Sequence, residues 1–231
     1  MSEIKVVTKD AAVSTKGALH SNPFVYGTAK TVLFILYKAF FRFEHSGVEN
    51  VPSESDARGV ILAPNHESYL DPPLLGISLG RRVTYLAKEY LFRAFFVGWF
   101  LRTIGALPIK SETDDFRSIR QLVRSLKERN CVVIFPEGTR TEDGNLKPAE
   151  SGIGFIALKS RSAVVPVYID GTFEAFPKDA KFFRPKKVRV FYGKPFVPAD
   201  DPVFQGEGAY QAVADKIMAE IKILKEHAIN T

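Results

Sequence analysis

Three short apolar runs, separated by helical patterns, constrain this chain more than any other feature. They are Gly59-Val60-Ile61-Leu62-Ala63, Cys131-Val132-Val133-Ile134-Phe135 and Ala163-Val164-Val165-Pro166-Val167-Tyr168-Ile169. Each is too short for a buried helix, rich in β-branched residues and bounded by turn formers, so each reads as a buried strand. Runs apolar on both faces are what parallel strands require, and Cys131 to Phe135 reads as a central one. Arg82 to Ala87, Gly105 to Ile109 and Val188 to Tyr192 add shorter strands. Helical patterns lie between them: Asp71 to Leu79, Asp114 to Arg129, Gly152 to Ser160 and a closing helix marked by Tyr210, Val213, Ile217, Ile221 and Leu224. The Asp114–Arg129 segment is the most clearly amphipathic, with Phe116, Ile119, Leu122, Val123 and Leu126 on one face. The alternation specifies an α/β fold: a largely parallel, mixed sheet flanked by helices.

Two stretches stand apart from this pattern. After a polar tail to Asn22, Phe24 to Phe43 forms an apolar and aromatic helix about 30 Å long, enough to cross a bilayer. Lys30, Lys38 and Arg42 interrupt it, and burying a cation near the membrane centre costs about 2.5 kcal/mol or more. A helix lying in the headgroup region fits better, with a core-packing helix of a soluble domain as the alternative, so residues 1–43 read as a tail plus a membrane-associating helix and 44–231 as the α/β domain. Phe95 to Leu101, between Arg93 and Arg102, fits a membrane-facing edge or an acyl-chain tunnel; core packing accounts for it equally well. The formal net charge of +6 suits an anionic surface, substrate or nucleic acid. No basic stripe with regularly placed aromatics supports nucleic acid. The single cysteine excludes an intrachain disulfide, and four scattered histidines argue against a metal site.

Chemistry-bearing residues gather where two of the strands end. The first run empties into Asn65-His66-Glu67-Ser68-Tyr69-Leu70-Asp71-Pro72-Pro73. Asp71-Pro72 has the composition of a helix start, with Asp as the cap. His66 and Asp71 are five positions apart, so they meet only if the intervening turn folds the carboxylate back. In that case one imidazole nitrogen is held and the other is free as a base toward a hydroxyl. Read alone, the stretch is also consistent with a surface histidine beside an ordinary cap. The second run empties into Pro136-Glu137-Gly138-Thr139-Arg140. Gly138 permits close backbone approach to a ligand, Arg140 offers a planar fork for phosphate, and Glu137 suits a hydroxyl or Arg140 itself. Read alone, this is a tight turn with a surface ion pair.

Together, the Asn65-His66 and Asp71 pattern and the Phe135-Pro136-Glu137-Gly138-Thr139-Arg140 block closely resemble the glycerolipid acyltransferase family that makes phosphatidic acid. The Val165-Pro166-Val167 strand is similar to that family's fourth block, and the likeness runs from about Gly47 to Gly171. The resemblance implies an O-acyltransferase with His66 as general base and Asp71 as its orienting carboxylate. Glu137, Gly138, Thr139 and Arg140 would bind the acceptor phosphate, with Asn65, Ser68 and Lys110 completing the substrate site. It implies no cofactor and no metal, acyl-CoA or acyl carrier protein as acyl donor, lysophosphatidic acid as acceptor, and membrane lipids at the cytoplasmic face as surroundings. The sequence departs from the pattern in two places. Gly105-Ala106-Leu107-Pro108-Ile109 is followed by Lys110-Ser111 where an Asp-Arg pair is common, and Ala149-Glu150-Ser151 stands before Gly152 where Phe-Lys is common. A lysine lacks the bidentate fork, which leaves open a phosphate-poor acceptor such as a lysophospholipid or an acylated amino lipid; another lysolipid or glycerol-3-phosphate is the alternative acceptor. A lipid-binding protein without catalysis would use the same surfaces, but has no need of His66 beside Asp71.

Overall fold

The parallel pairing of Val60–Pro64 with Ala163–Asp170 is the strip on which the rest of the sheet is hung. The computed structural model describes residues 23–103, 106–109 and 115–231. In chain order its regular elements are α1 (Pro23–Phe41), β1 (Glu44–Ser46), β2 (Val60–Pro64), α2 (Asp71–Ser78), β3 (Leu86–Lys88), α3 (Phe95–Thr103), β4 (Leu107–Ile109) and α4 (Asp115–Lys127). There follow β5 (Cys131–Val133), α5 (Ser151–Ser160), β6 (Ala163–Asp170), α6 (Thr172–Ala175), β7 (Arg189–Tyr192) and α7 (Ala209–Ile229). Five strands form one sheet in the order β1-β7-β6-β2-β5, and β3 pairs with β4 in a small second sheet. Among the described residues the strands pair in parallel except β6 with β7, and Val164 of β6 adds an antiparallel bridge to Phe196. The fold is the expected α/β arrangement with a largely parallel, mixed sheet.

Alternation along each strand feeds two cores. Val60, Leu62, Cys131, Val133, Val165, Val167 and Ile169 face α1 and α2. Ile61, Val132, Val164 and Tyr168 face the layer that holds Leu122 and Leu126 of α4, Ile153 and Ile156 of α5, and Val213, Ile217 and Ile221 of α7. The sheet is thus buried on both sides, as parallel sheets are.

Two strand expectations need correction. The Cys131–Phe135 run is not central: β5 is the last strand of the five. Its apolarity has another source, because helices cover both faces and Thr84 covers its outer edge through Thr84 N–H to Cys131 C=O (2.7 Å) and Val133 N–H to Thr84 C=O (3.0 Å). For the same reason Arg82 to Ala87 is not one strand; it makes a single bridge at Thr84, and β3 begins only at Leu86.

Helix α1 packs on α2, with Tyr37 and Phe41 buried in the first core. Its other side leaves Phe24, Ile35 and Phe40 exposed. The Lys30 ammonium donates to the Leu79 carbonyl at the end of α2, which ties α1 to the domain. Among the described residues no helix is long and apolar enough to cross a membrane.

Helices α5 and α7 approach so closely that a Cβ on Gly154 would lie 1.9 Å from the Tyr210 carbonyl oxygen. Gly154→Ala is therefore expected to force the helices apart and lower Tm by about 3–10 °C, for about 1–3 kcal/mol of overpacking. Gly152→Ala, where nothing lies within 4 Å, should leave Tm unchanged or raised in the same thermal unfolding measurement.

Candidate active site

The turn after β2 is shaped by one carboxylate oxygen. Asp71 Oδ2 accepts from the backbone N–H groups of Glu67 and Ser68, each at 2.8 Å, and lies 2.8 Å from His66 Nδ1. The expected capping of α2 by this side chain does not occur. Pro72 and Pro73 occupy the first turn and have no N–H, so nothing on the helix asks for the carboxylate. It turns back into the preceding loop instead. Asp71 is fully buried. Its Oδ1 is also buried and has no hydrogen-bond partner among the described residues.

With Nδ1 donating to Asp71, His66 keeps its lone pair on Nε2. The imidazole stacks on the Phe135 ring, centroids 3.8 Å apart and planes inclined by 21°. Phe135 follows β5, which runs parallel beside β2. Both loops therefore leave the same edge of the sheet, where α/β folds place their sites.

The second loop grips the first through the main chain. Glu137 accepts from His66 N–H at Oε1 (3.0 Å) and from Lys147 N–H at Oε2 (2.9 Å), while Thr141 N–H donates to the His66 carbonyl (2.8 Å). Burial is the largest influence on the Glu137 carboxyl and raises it above the usual carboxylate range. Gly138 turns the loop at φ 69°, in the left-handed region. The Arg140 guanidinium lies 3.6 Å above the Tyr69 ring. Its Nη1 is buried without a partner among the described residues, and the Lys147 ammonium holds the Arg140 carbonyl at 2.8 Å.

The structure thus brings His66, Asp71 and Arg140 to one edge, with Gly138 and Thr139 exposed beside them. Three residues expected to touch substrate are instead committed to the protein itself. Asn65 is buried, donating to Ile169 C=O (2.9 Å) and Glu67 Oε1 (3.0 Å) and accepting from Ile169 N–H (2.7 Å). Ser68 donates to Phe176 C=O at 2.6 Å, and Glu137 is occupied as described above. Lys110 lies outside the described residues. Sequence reasoning passed over Tyr69, Phe135 as a ring against the imidazole, and Glu67; all three stand within the quoted motifs, so their position was the available signal.

The family model Acyltransferase matches residues 42–170, a span that contains both loops. The chain belongs to the acyltransferase family. It is 34% identical over 162 residues to 1-acyl-sn-glycerol-3-phosphate acyltransferase LPAT1, chloroplastic, of Arabidopsis thaliana, covering 68% of this chain and 44% of that one. It is 31% identical over 179 residues to 1-acyl-sn-glycerol-3-phosphate acyltransferase of Bacillus subtilis (strain 168), covering 77% of this chain and 85% of that one. The matched chain therefore spans less than half of the plant relative and most of the bacterial one. Its fold is similar to the crystal structure of the 1-acyl-sn-glycerophosphate (LPA) acyltransferase PlsC from Thermotoga maritima, with TM-score 0.69 and 26% identity, covering 89% of this chain and 77% of that one.

Asn65→Ala removes the partner of both Ile169 backbone groups and of Glu67. Because these groups stay buried and unpaired, the substitution should cost about 2–4 kcal/mol of stability, read as a lower urea midpoint at unchanged slope. A midpoint equal to wild type would contradict the bonding described here.

Proposed function

We propose that this acyltransferase moves a fatty acyl group from an acyl thioester, on coenzyme A or acyl carrier protein, to the free hydroxyl of 1-acylglycerol-3-phosphate, giving phosphatidic acid. The observation that carries the reading is the 2.8 Å contact of His66 Nδ1 with a buried carboxylate, which leaves Nε2 free as a base. His66 Nε2 takes the proton of the acceptor hydroxyl as the oxygen attacks the thioester carbonyl. The new C–O ester bond forms, the C–S bond breaks, and the departing thiolate takes the proton back from the imidazolium. Asp71 steadies that imidazolium while it exists. A thioester is already activated, so a positioned base and an oriented acceptor supply what the step asks of the protein.

Arg140 receives the acceptor phosphate in this scheme. Stacked on Tyr69, the guanidinium loses little rotamer freedom on binding, and its in-plane N–H groups match phosphate oxygens. A phosphate-bearing acceptor suits its buried, unpartnered Nη1. The acceptor is a lipid, and the exposed Phe24, Ile35 and Phe40 of α1, with Lys38 and Arg42 near them, suit a helix lying in the headgroup layer at the cytoplasmic face.

Thiol release from an acyl thioester on adding 1-acylglycerol-3-phosphate tests the reading. His66→Ala and Asp71→Asn should each lower kcat by about 10²–10⁴-fold in folded protein. Turnover near wild type in folded His66→Ala refutes the mechanism. Arg140→Ala should raise the acceptor KM about tenfold or more with a smaller change in kcat, and Tyr69→Leu should shift it in the same direction. An acceptor KM unchanged in Arg140→Ala removes the phosphate role.

A further inference from the structure

Inside the catalytic turn lies a titratable side chain that the transfer step above does not use. Glu67 is 6% exposed. Its Oε1 accepts from Asn65 Nδ2 (3.0 Å), and its Oε2 accepts from Phe173 N–H (3.3 Å) and the Thr172 hydroxyl (3.5 Å). Its own N–H is one of the donors to Asp71 Oδ2. One residue thus joins three parts: the carboxylate that holds His66, the Asn65 bracket on β6, and the start of α6.

The groups facing Glu67 come from four elements. Asp71 of α2 and Glu174 of α6 are negative, Lys225 of α7 is the opposing cation, and Tyr168 of β6 is a phenol. Desolvation is the strongest influence, the two carboxylates reinforce it, and the Glu67 carboxyl is pushed up to about 8. Ionising it would place a second negative charge in the pocket that already encloses Asp71.

We propose that Glu67 is a positioning residue for acyl transfer, fastening the His66–Asp71 turn to the start of α6 and, through Asn65, to the end of β6, and placing a titratable carboxyl beside Asp71. The proposal rests on the reading of His66 as the general base. In the ionised form the extra charge stabilises the imidazolium that forms as the hydroxyl is deprotonated, so the step speeds up; the proton Glu67 gives up goes to solvent. The sign follows from the raised carboxyl: the group is neutral below its folded value and becomes charged as pH rises through it.

The experiment compares kcat of wild type and Glu67→Gln from about pH 6.5 to about pH 9.5, with acyl-CoA and 1-acylglycerol-3-phosphate at saturation and thioester hydrolysis subtracted. The ratio of wild-type to variant kcat should rise about two- to fivefold between the ends of that range, with the acceptor KM of the variant unmoved by pH. A ratio constant with pH overturns the proposal, since a purely structural role would lower the variant equally everywhere. A second readout needs no activity. In wild type with glutamate-selective ¹³Cδ labelling, a buried carboxyl should titrate near 8, and its resonance should vanish in both Glu67→Gln and Glu67→Asp while the other glutamate resonances remain. If every carboxyl titrates in the ordinary glutamate range, the proposal is overturned. Failure of wild type to transfer acyl groups while that carboxyl titrates as expected would overturn the proposed function instead.

Discussion

One carboxylate oxygen sets the geometry on which the site depends. Asp71 Oδ2 gathers two backbone N–H groups and an imidazole nitrogen, each at 2.8 Å. Hydrogen bonds to a charged acceptor contribute about 1.5–3 kcal/mol each, enough to hold residues 66–71 in a tight turn that the chain would not otherwise keep. The two prolines after Asp71 make this possible by withholding the N–H groups that a helix start normally offers its cap. The same bonds fix which imidazole nitrogen is occupied. The shape of the turn and the orientation of the imidazole therefore follow from a single interaction.

The sheet supplies the second constraint. Because β2 and β5 are parallel neighbours, the loops after them emerge side by side, and the His66 imidazole from one can share an edge with Arg140 from the other. Glu137 and Thr141 then lock the loops together by taking both main-chain groups of His66. Arg140 reaches the site over Tyr69, a residue of the first loop. Each loop thus carries one functional group and one support for the group on the other. A shift of either loop would disturb both His66 and Arg140, because the loops are joined through the main chain of His66, the buried Glu137 carboxylate and the packing of Arg140 on Tyr69.

Much of this was legible in the sequence, and the parts that were not have identifiable reasons. The strand runs at Val60, Cys131 and Ala163 were readable because burial on both faces leaves an unbroken apolar string. The same property hid the edge position of β5, since Thr84, nearly fifty residues earlier, covers it. The meeting of His66 and Asp71 could be framed as a condition on the turn but not decided, because an Asp before Pro reads equally as a cap. The inward commitment of Asn65, Ser68 and Glu67 was not readable. Their partners, Ile169, Phe176 and Phe173, lie more than one hundred residues away, and no local pattern reports such contacts. Polar residues within such a motif are easily taken for substrate contacts when their bonds hold the motif in place.

The most direct test of the central claim is the tautomer of His66, read by ¹H–¹⁵N NMR of the imidazole in unliganded protein with Asp71→Asn as the reference. The account predicts a protonated Nδ1 and an unprotonated Nε2 in the neutral ring, with that preference weakened in the variant. A neutral ring protonated at Nε2, or a tautomer indifferent to Asp71, would contradict it.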